Sequence, residues 1–377
     1  MSEYQYYEFQ AIDRPLTDAD RQALRALSTR ARITATSFTN SYEWGDFKGD
    51  PAKLMERWFD LHLYMANWSS RRLMIRLPKR LVNRPFLDRF LGDADCARLQ
   101  VAGENLIIDI WRDEVEFEDW SDATGWLAAL APLRADVLAG DLRLFYLLWL
   151  TAVEADAWQA DEPEPMPGIG PMTASLEAFA AFFGLDPDLV QAAAEHPIEA
   201  GAGGIAPGAA RRVIAAMPDR EKTKLLVRLF EGAPHVAAEL RAEVRHRLGP
   251  GTDAPPTATR TAGELQARAR AIHLARERAE DDKAAAARKR QAKEAEKARR
   301  ARLDAIARRG ESIWSEIEAA IARCNAAGYD TAASLLLDLR AIAEERGTVE
   351  DFLRRLRTLR ERHVRKKRFI ERLAAMG

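Results

Sequence analysis

Cysteine is almost missing from this 377-residue chain. The two that occur, Cys96 and Cys324, lie far apart and make no disulfide framework, which points to a reducing compartment. No CxxC or HxxxH pair is present. The six histidines (His62, His196, His235, His246, His273 and His363) are scattered, so no metal site is expected. There is no GxSxG, and neither cysteine sits in the context of a nucleophile. The glycine-rich GAGGIAPGAARR (Gly201–Arg212) lacks GxxxxGK[ST] and follows no strand, so it reads as a loop rather than a phosphate cradle. No cofactor is implied. Long hydrophobic runs are missing too. The most apolar stretch, LFYLLWLTAV (Leu144–Val153), is about half the ~20 residues of a membrane span and reads as a buried helix. MSEYQYYEF has no basic segment leading into an apolar run, so no secretory leader is expected. These absences exclude a membrane partner and favour a cytoplasmic protein.

What the chain does have is charge, unevenly placed. It is 47% hydrophobic and 31% charged, with a net charge of −1. From Ala262 to Gly377 there are 28 Lys and Arg against 19 Asp and Glu, which leaves 29 against 39 before it. A basic tail behind an acidic body implies an electrostatic partner for the tail, and the body itself is one candidate.

The first 121 residues read as interleaved strands and helices. YQYYEFQAI alternates as a strand, Thr17 and Asp20 form a capping box, and RITATSFTNSYEW reads as one further strand. Pro51 opens a helix carrying Leu54, Met55 and Trp58. LHLYMANW and RRLMIRLP form a hairpin about Ser69–Ser70, and CARLQVAGENLIIDIW forms a second about Gly103–Asn105. From residue 122 the spacing is helical, with Gly and Pro marking each end. The expected architecture is an α+β N-terminal domain (1–121), an all-α domain (122–248), a linker (249–261), a long basic helix (262–309) and a small C-terminal helical bundle (310–377). The run from Glu264 to Arg309 has no Gly or Pro. It is alanine-rich, which gives high helix propensity but too little burial for a stable two-stranded coiled coil, so a solvated helix is expected. Pairs such as Glu264–Arg268 and Asp304–Arg308 would support it. Three amphipathic helices are expected after Gly310.

YQYYEFQAIDRPLT, FFGLDPDLVQAAAE and YDTAASLLLDLRAIAEERG together resemble a family of uncharacterised bacterial proteins of this length and layout. The resemblance implies a bacterial cytoplasmic setting, and it brings no activity, cofactor or functional residue.

Two basic clusters are candidate binding sites. One is Arg288, Lys289, Arg290, Lys293, Lys297, Arg299 and Arg300. The other is Arg354, Arg355, Arg357, Arg360, Arg362, Arg365, Lys366, Lys367 and Arg368, with a single acid between them. Neither is interleaved with aromatics, so nucleic-acid binding there would be backbone-directed and salt-sensitive rather than base-stacking. An acidic protein surface would fit equally. In DEVEFEDW, a continuing strand would put Glu114, Glu116 and Glu118 on one face, as a solvated or basic-docking surface rather than a metal chelate. Trp44, in the polar YEWGDFKGDP, is a candidate exposed aromatic. The sequence therefore favours a non-enzymatic interaction or scaffold protein with a protein partner. Nucleic-acid binding through the tail is the alternative, and an enzyme with a site near Trp44 or Glu114–Glu118 is the third.

Overall fold

The computed structural model describes residues 4–45, 47–92, 95–115, 123–197, 207–248 and 260–374. It divides into two compact units that meet at Ala275/Arg276.

The first unit is built on a seven-stranded antiparallel sheet in the order β2-β3-β1-β4-β5-β7-β6. The strands are β1 (Gln5–Gln10), β2 (Arg32–Ile33), β3 (Ser37–Tyr42), β4 (Leu61–Ala66), β5 (Arg71–Pro78), β6 (Ala97–Ala102) and β7 (Asn105–Arg112). Both predicted hairpins are present, β4 with β5 and β6 with β7. The single strand read from RITATSFTNSYEW is instead two, β2 and β3, paired antiparallel. Thr34 makes the turn: its N–H donates to Ser37 O at 2.9 Å, and the two hydroxyls lie 2.7 Å apart. A hydroxyl-based turn of this kind carries no Gly or Pro signal.

Alternation gives the sheet two unlike faces. Leu63, Leu73, Ile75, Ile108 and Ile110 point to one, where helices α3 (Arg84–Leu91), α4 (Trp126–Leu130), α5 (Pro132–Ala139), α6 (Arg143–Glu154), α7 (Ala174–Phe182) and α8 (Pro187–Ala194) join the same apolar core. α6 is its centre, buried from Leu144 to Val153, as its composition predicts. The core crosses residue 121, so the sheet and the helices that follow it are packed as one body. The opposite face gathers Phe9, Phe38, Met74 and Ile107 under α1 (Asp18–Leu27) and α2 (Pro51–Arg57), which add Leu24, Leu54 and Met55. α1 starts on the predicted capping box of Thr17 and Asp20. Three further helices complete this part: α9 (Pro207–Ala216), α10 (Asp219–Phe230) and α11 (Val236–Leu248).

One helix, α12 (Ala262–Arg309), runs across the division between the units. Its start is rooted in the first unit. Thr261 and Glu264 exchange hydrogen bonds as a capping box (2.8 and 3.3 Å), and Leu265, Ala269 and Ile272 are buried at i, i+4 and i+7. Arg260 grips the fully buried Glu164 carboxylate at 2.9 and 3.2 Å, and Tyr146 Oη donates to the same group at 2.7 Å. Arg268 reaches Glu195 and His273 meets Asp188 at 3.0 Å. Glu264 and Arg268 are thus engaged elsewhere and do not form the i,i+4 pair expected of them.

The second unit closes its own core. Leu303 and Ile306, at the end of α12, pack with Ile313 and Ile317 of α13 (Ser312–Ala322), and with Leu336 of α14 (Ala326–Arg346). Phe352 and Leu359 of α15 (Val349–Arg362) and Phe369 and Leu373 of α16 (Lys367–Ala374) complete it. Among the described residues four helices therefore follow Gly310, where three were expected. In one continuous helix Phe369 would lie roughly 80° round the axis from Leu359, ten residues earlier. The break between α15 and α16 lets both side chains enter the core. Among the described residues no helix is long and apolar enough to cross a membrane.

Candidate functional site

The basic residues named from sequence fall into two structurally different groups. Arg288, Lys289, Arg290, Lys293, Lys297, Arg299 and Arg300 lie on α12, where every residue from His273 to Arg302 is exposed. At 100° per residue, Lys289, Arg290, Lys293, Lys297 and Arg300 share roughly a 100° sector of the helix and form a stripe about 16 Å long. Arg288 and Arg299 lie together off it. The stripe is little neutralised within the helix. Arg290 has Glu294 at 3.9 Å, and Arg288 Nε donates to the Ala284 carbonyl at 3.4 Å. A row of exposed cations on a regular helix can follow a line of phosphates or an acidic surface, and it has no aromatic group with which to read a base.

The C-terminal cluster is divided by its packing. On α15, Arg355 and Arg362 are seven residues apart, two turns, and so share one side of the Phe352–Leu359 stripe. They face Glu311, which caps α13, and Glu318 within it, which have the same spacing. Arg355 binds Glu311 through two hydrogen bonds at 2.7 and 2.8 Å, and Arg362 reaches Glu318 at 3.4 Å. His363 Nε2 lies 2.6 Å from the same Glu318 carboxylate. The Arg355 guanidinium holds the Glu311 carboxyl below its usual range, against a smaller opposing effect of burial. Arg354 pairs with Asp351 at 3.2 Å, and Lys366 Nζ donates to the Ile321 carbonyl at 2.8 Å. Arg357, Arg360, Arg365, Lys367 and Arg368 are exposed, and among the described residues they have no ion pair. Three of the nine bases, Arg355, Arg362 and Lys366, thus tie this region to the α13 region, Arg354 pairs within its own helix, and the other five are exposed to solvent.

The strand expected to carry Glu114 stops before it. β7 ends at Arg112, and Glu114 has a φ of 59°, a left-handed backbone that ends strand alternation. Val115 then turns into the core, its N–H donating to Ser69 O at 3.1 Å. Glu116 and Glu118 lie outside the described residues, as does most of the glycine-rich Gly201–Arg212. No group of three or more potential metal ligands occurs among the described residues. Trp44 is 73% exposed, in keeping with the polar turn around it.

One surface escaped the sequence reading. α10 has no buried residue, and Leu226, Leu229 and Phe230 are all exposed, Phe230 by 93%. Ion pairs hold this helix to α11: Arg228 with Glu239, and Arg247 with Glu221 at 2.6 Å. The LLVRLF spacing carries the signal of an apolar face, and only the packing reveals that the face stays open.

No family model, no curated protein and no solved structure matches the chain, so the functional reading rests on its own geometry.

Proposed function

We propose that this chain is a non-enzymatic interaction protein in which one continuous helix links two folded units that engage partners. The observation that carries this reading is α12. Both its ends are buried in apolar cores, through Leu265, Ala269 and Ile272 at one end and Leu303 and Ile306 at the other, yet everything from His273 to Arg302 is exposed on all sides. A helix that is polar all round owes its place in a fold to what it connects. The open face of α10 supplies a surface of the kind partners cover. Affinity capture from source cells tests the idea, with full-length protein and a Phe230→Asp variant identified side by side by mass spectrometry. A stoichiometric protein partner is expected with the first and its loss with the second. No protein enriched over a charge-matched control would sink the reading.

A second reading is backbone-directed nucleic-acid binding. It is favoured by the one-sided stripe on α12 and by the five exposed cations between Arg357 and Arg368 that have no ion pair among the described residues. Fluorescence anisotropy of labelled DNA and RNA at two salt concentrations separates it from the first. The truncated control must end at Ala275, because a cut at Thr261 would remove Leu265, Ala269 and Ile272 from the first core. Tail-dependent binding that falls with salt, with a logarithmic slope of about 0.9 per phosphate contacted, would put this reading first. The leading reading expects no such binding.

A further inference from the structure

The sheet face that carries Phe9 and Phe38 is only partly covered by α1 and α2. Beyond them it opens into a cleft of about 350 Å³. That lies in the lower part of the roughly 300–1,000 Å³ range of small-molecule sites. Strand register builds its floor. Tyr7 of β1 pairs with Tyr64 of β4, Tyr64 with Arg72 of β5, and Arg72 with Trp111 of β7, so four side chains from four strands form one row on one face. The Tyr7 and Tyr64 ring centroids lie 4.8 Å apart. Phe47 adds a wall, 5.1 Å from Tyr7, folded back over Gly49 so closely that a Cβ there would meet its ring at 2.5 Å.

Behind this row sits His62, which also lines the cleft and is fully buried. Its ring stacks on Phe9 with centroids 4.0 Å apart. Nδ1 lies 3.0 Å from the Glu8 carbonyl, which only accepts, so Nδ1 carries the proton. Nε2 is then a bare acceptor, and among the described residues nothing donates to it. Burial holds the imidazole down at about 3, so it stays neutral and keeps that lone pair. A buried acceptor without a donor is uncommon and calls for an occupant.

The other polar groups narrow the choice. Tyr7 Oη donates to Gln5 Oε1 at 2.7 Å, so toward the cleft its oxygen can only accept. Arg72 is held in two hydrogen bonds by the buried Asp109, at 2.7 and 2.8 Å, and Arg98 neutralises the same carboxylate from its other side at 2.8 Å. Arg71 donates to the carbonyls of Ala66 and Ser70 at 3.0 and 3.1 Å. Arg72 is thus held by the fold, with its charge neutralised.

We propose that this cleft binds a small planar heteroaromatic molecule of nucleoside size, stacked against the Tyr64–Trp111 row and donating a ring or exocyclic N–H to His62 Nε2. The site lies wholly in the first unit and is independent of the interaction role proposed above. An aromatic floor recognises the flat ring, and the buried acceptor selects a donor edge over an anion.

Isothermal titration of the full-length protein with adenosine, cytidine, guanosine and uridine tests this, with the matching free bases and N-methylated forms that lack the donor. At least one donor-bearing compound is expected to bind, with affinity reduced about tenfold or more by methylation or by His62→Phe. Similar affinity for a free base would assign recognition to the ring, and tighter binding of its nucleoside would add the sugar. Tyr64→Ala, at a partly buried position, should weaken binding too, and it keeps the test decisive if the His62 variant does not fold. Thermal melting of each variant shows that it is folded. Failure of all the compounds to bind folded wild-type protein would overturn the assignment. So would binding that neither substitution changes.

Discussion

Asp60 is fully buried, and its carboxylate accepts from the N–H groups of Ile12 and Asp13 at 2.6 and 2.9 Å and from Arg76 at 2.9 Å. Arg134, on α5, lies 3.5 Å away and also binds Asp13 at 2.6 Å, while His235 Nε2 lies 2.8 Å from the same Asp13 oxygen. Five residues from well-separated parts of the chain form one clasp between the sheet and the helices. Asp60→Ala would leave the largely buried Arg76 guanidinium without its carboxylate and the Ile12 and Asp13 N–H groups without their acceptor, and a loss of about 3–5 kcal/mol is expected from urea denaturation. Burial would raise the Asp13 carboxyl, but the hydrogen bonds from His235 and Arg134 outweigh it and hold it at about 2. That contribution is present above about pH 4 and is lost as pH falls toward 2. His62 acts in a higher window. Its ordinary value of 6.5 is lowered to about 3 by burial, so the unfolded chain takes up a proton in a range where the folded one does not. Stability should therefore fall as pH drops from 6.5 toward 4.5, with a slope of up to about 1.4 kcal/mol per pH unit from this residue. His62→Phe should flatten that part of the profile, and an unchanged profile would contradict the buried neutral imidazole.

At the scale of elements, α12 separates helix formation from packing. Ala286→Pro, in the exposed stretch, should break the helix locally at about 3 kcal/mol and lower the circular dichroism signal at 222 nm. Neither apolar core should melt earlier; a drop in either would show that the stretch is packed after all. This helix was legible in the sequence because alanine and charged residues act through local propensity. So were the two hairpins and the Thr17–Asp20 cap, whose signals lie within a few residues. The β2–β3 turn was not, since Thr34 and Ser37 build it from hydroxyls. The α15–α16 break was hidden because only the core dictates where Phe369 must point. Half of the candidate site was readable: the cations are plain in the sequence, but their division into bundle-holding and free depends on Glu311 and Glu318, more than forty residues away. The aromatic row was not readable at all, because strand register, and no local motif, sets Tyr7 beside Tyr64 and Arg72 beside Trp111.

For the whole molecule, each unit has its own apolar core. Thermal or urea unfolding should therefore resolve two transitions. Leu147→Ala and Leu336→Ala, both at fully buried positions, should each lower only one of them by about 2–5 kcal/mol. A single transition shifted by both substitutions would show that the cores fold as one.

The exposed middle of α12 also has a consequence in time. Its amides share the geometry of those in α6, yet no tertiary contact has to break before they open to water. In deuterium-labelling experiments one uninterrupted helix should then divide into three kinetic classes. The rooted turns at each end would exchange on the slow clock of their own cores. The span from His273 to Arg302 would exchange with the fast opening of an isolated peptide helix. A protease specific for lysine and arginine would find its first cuts there, and each fragment would keep a core of its own.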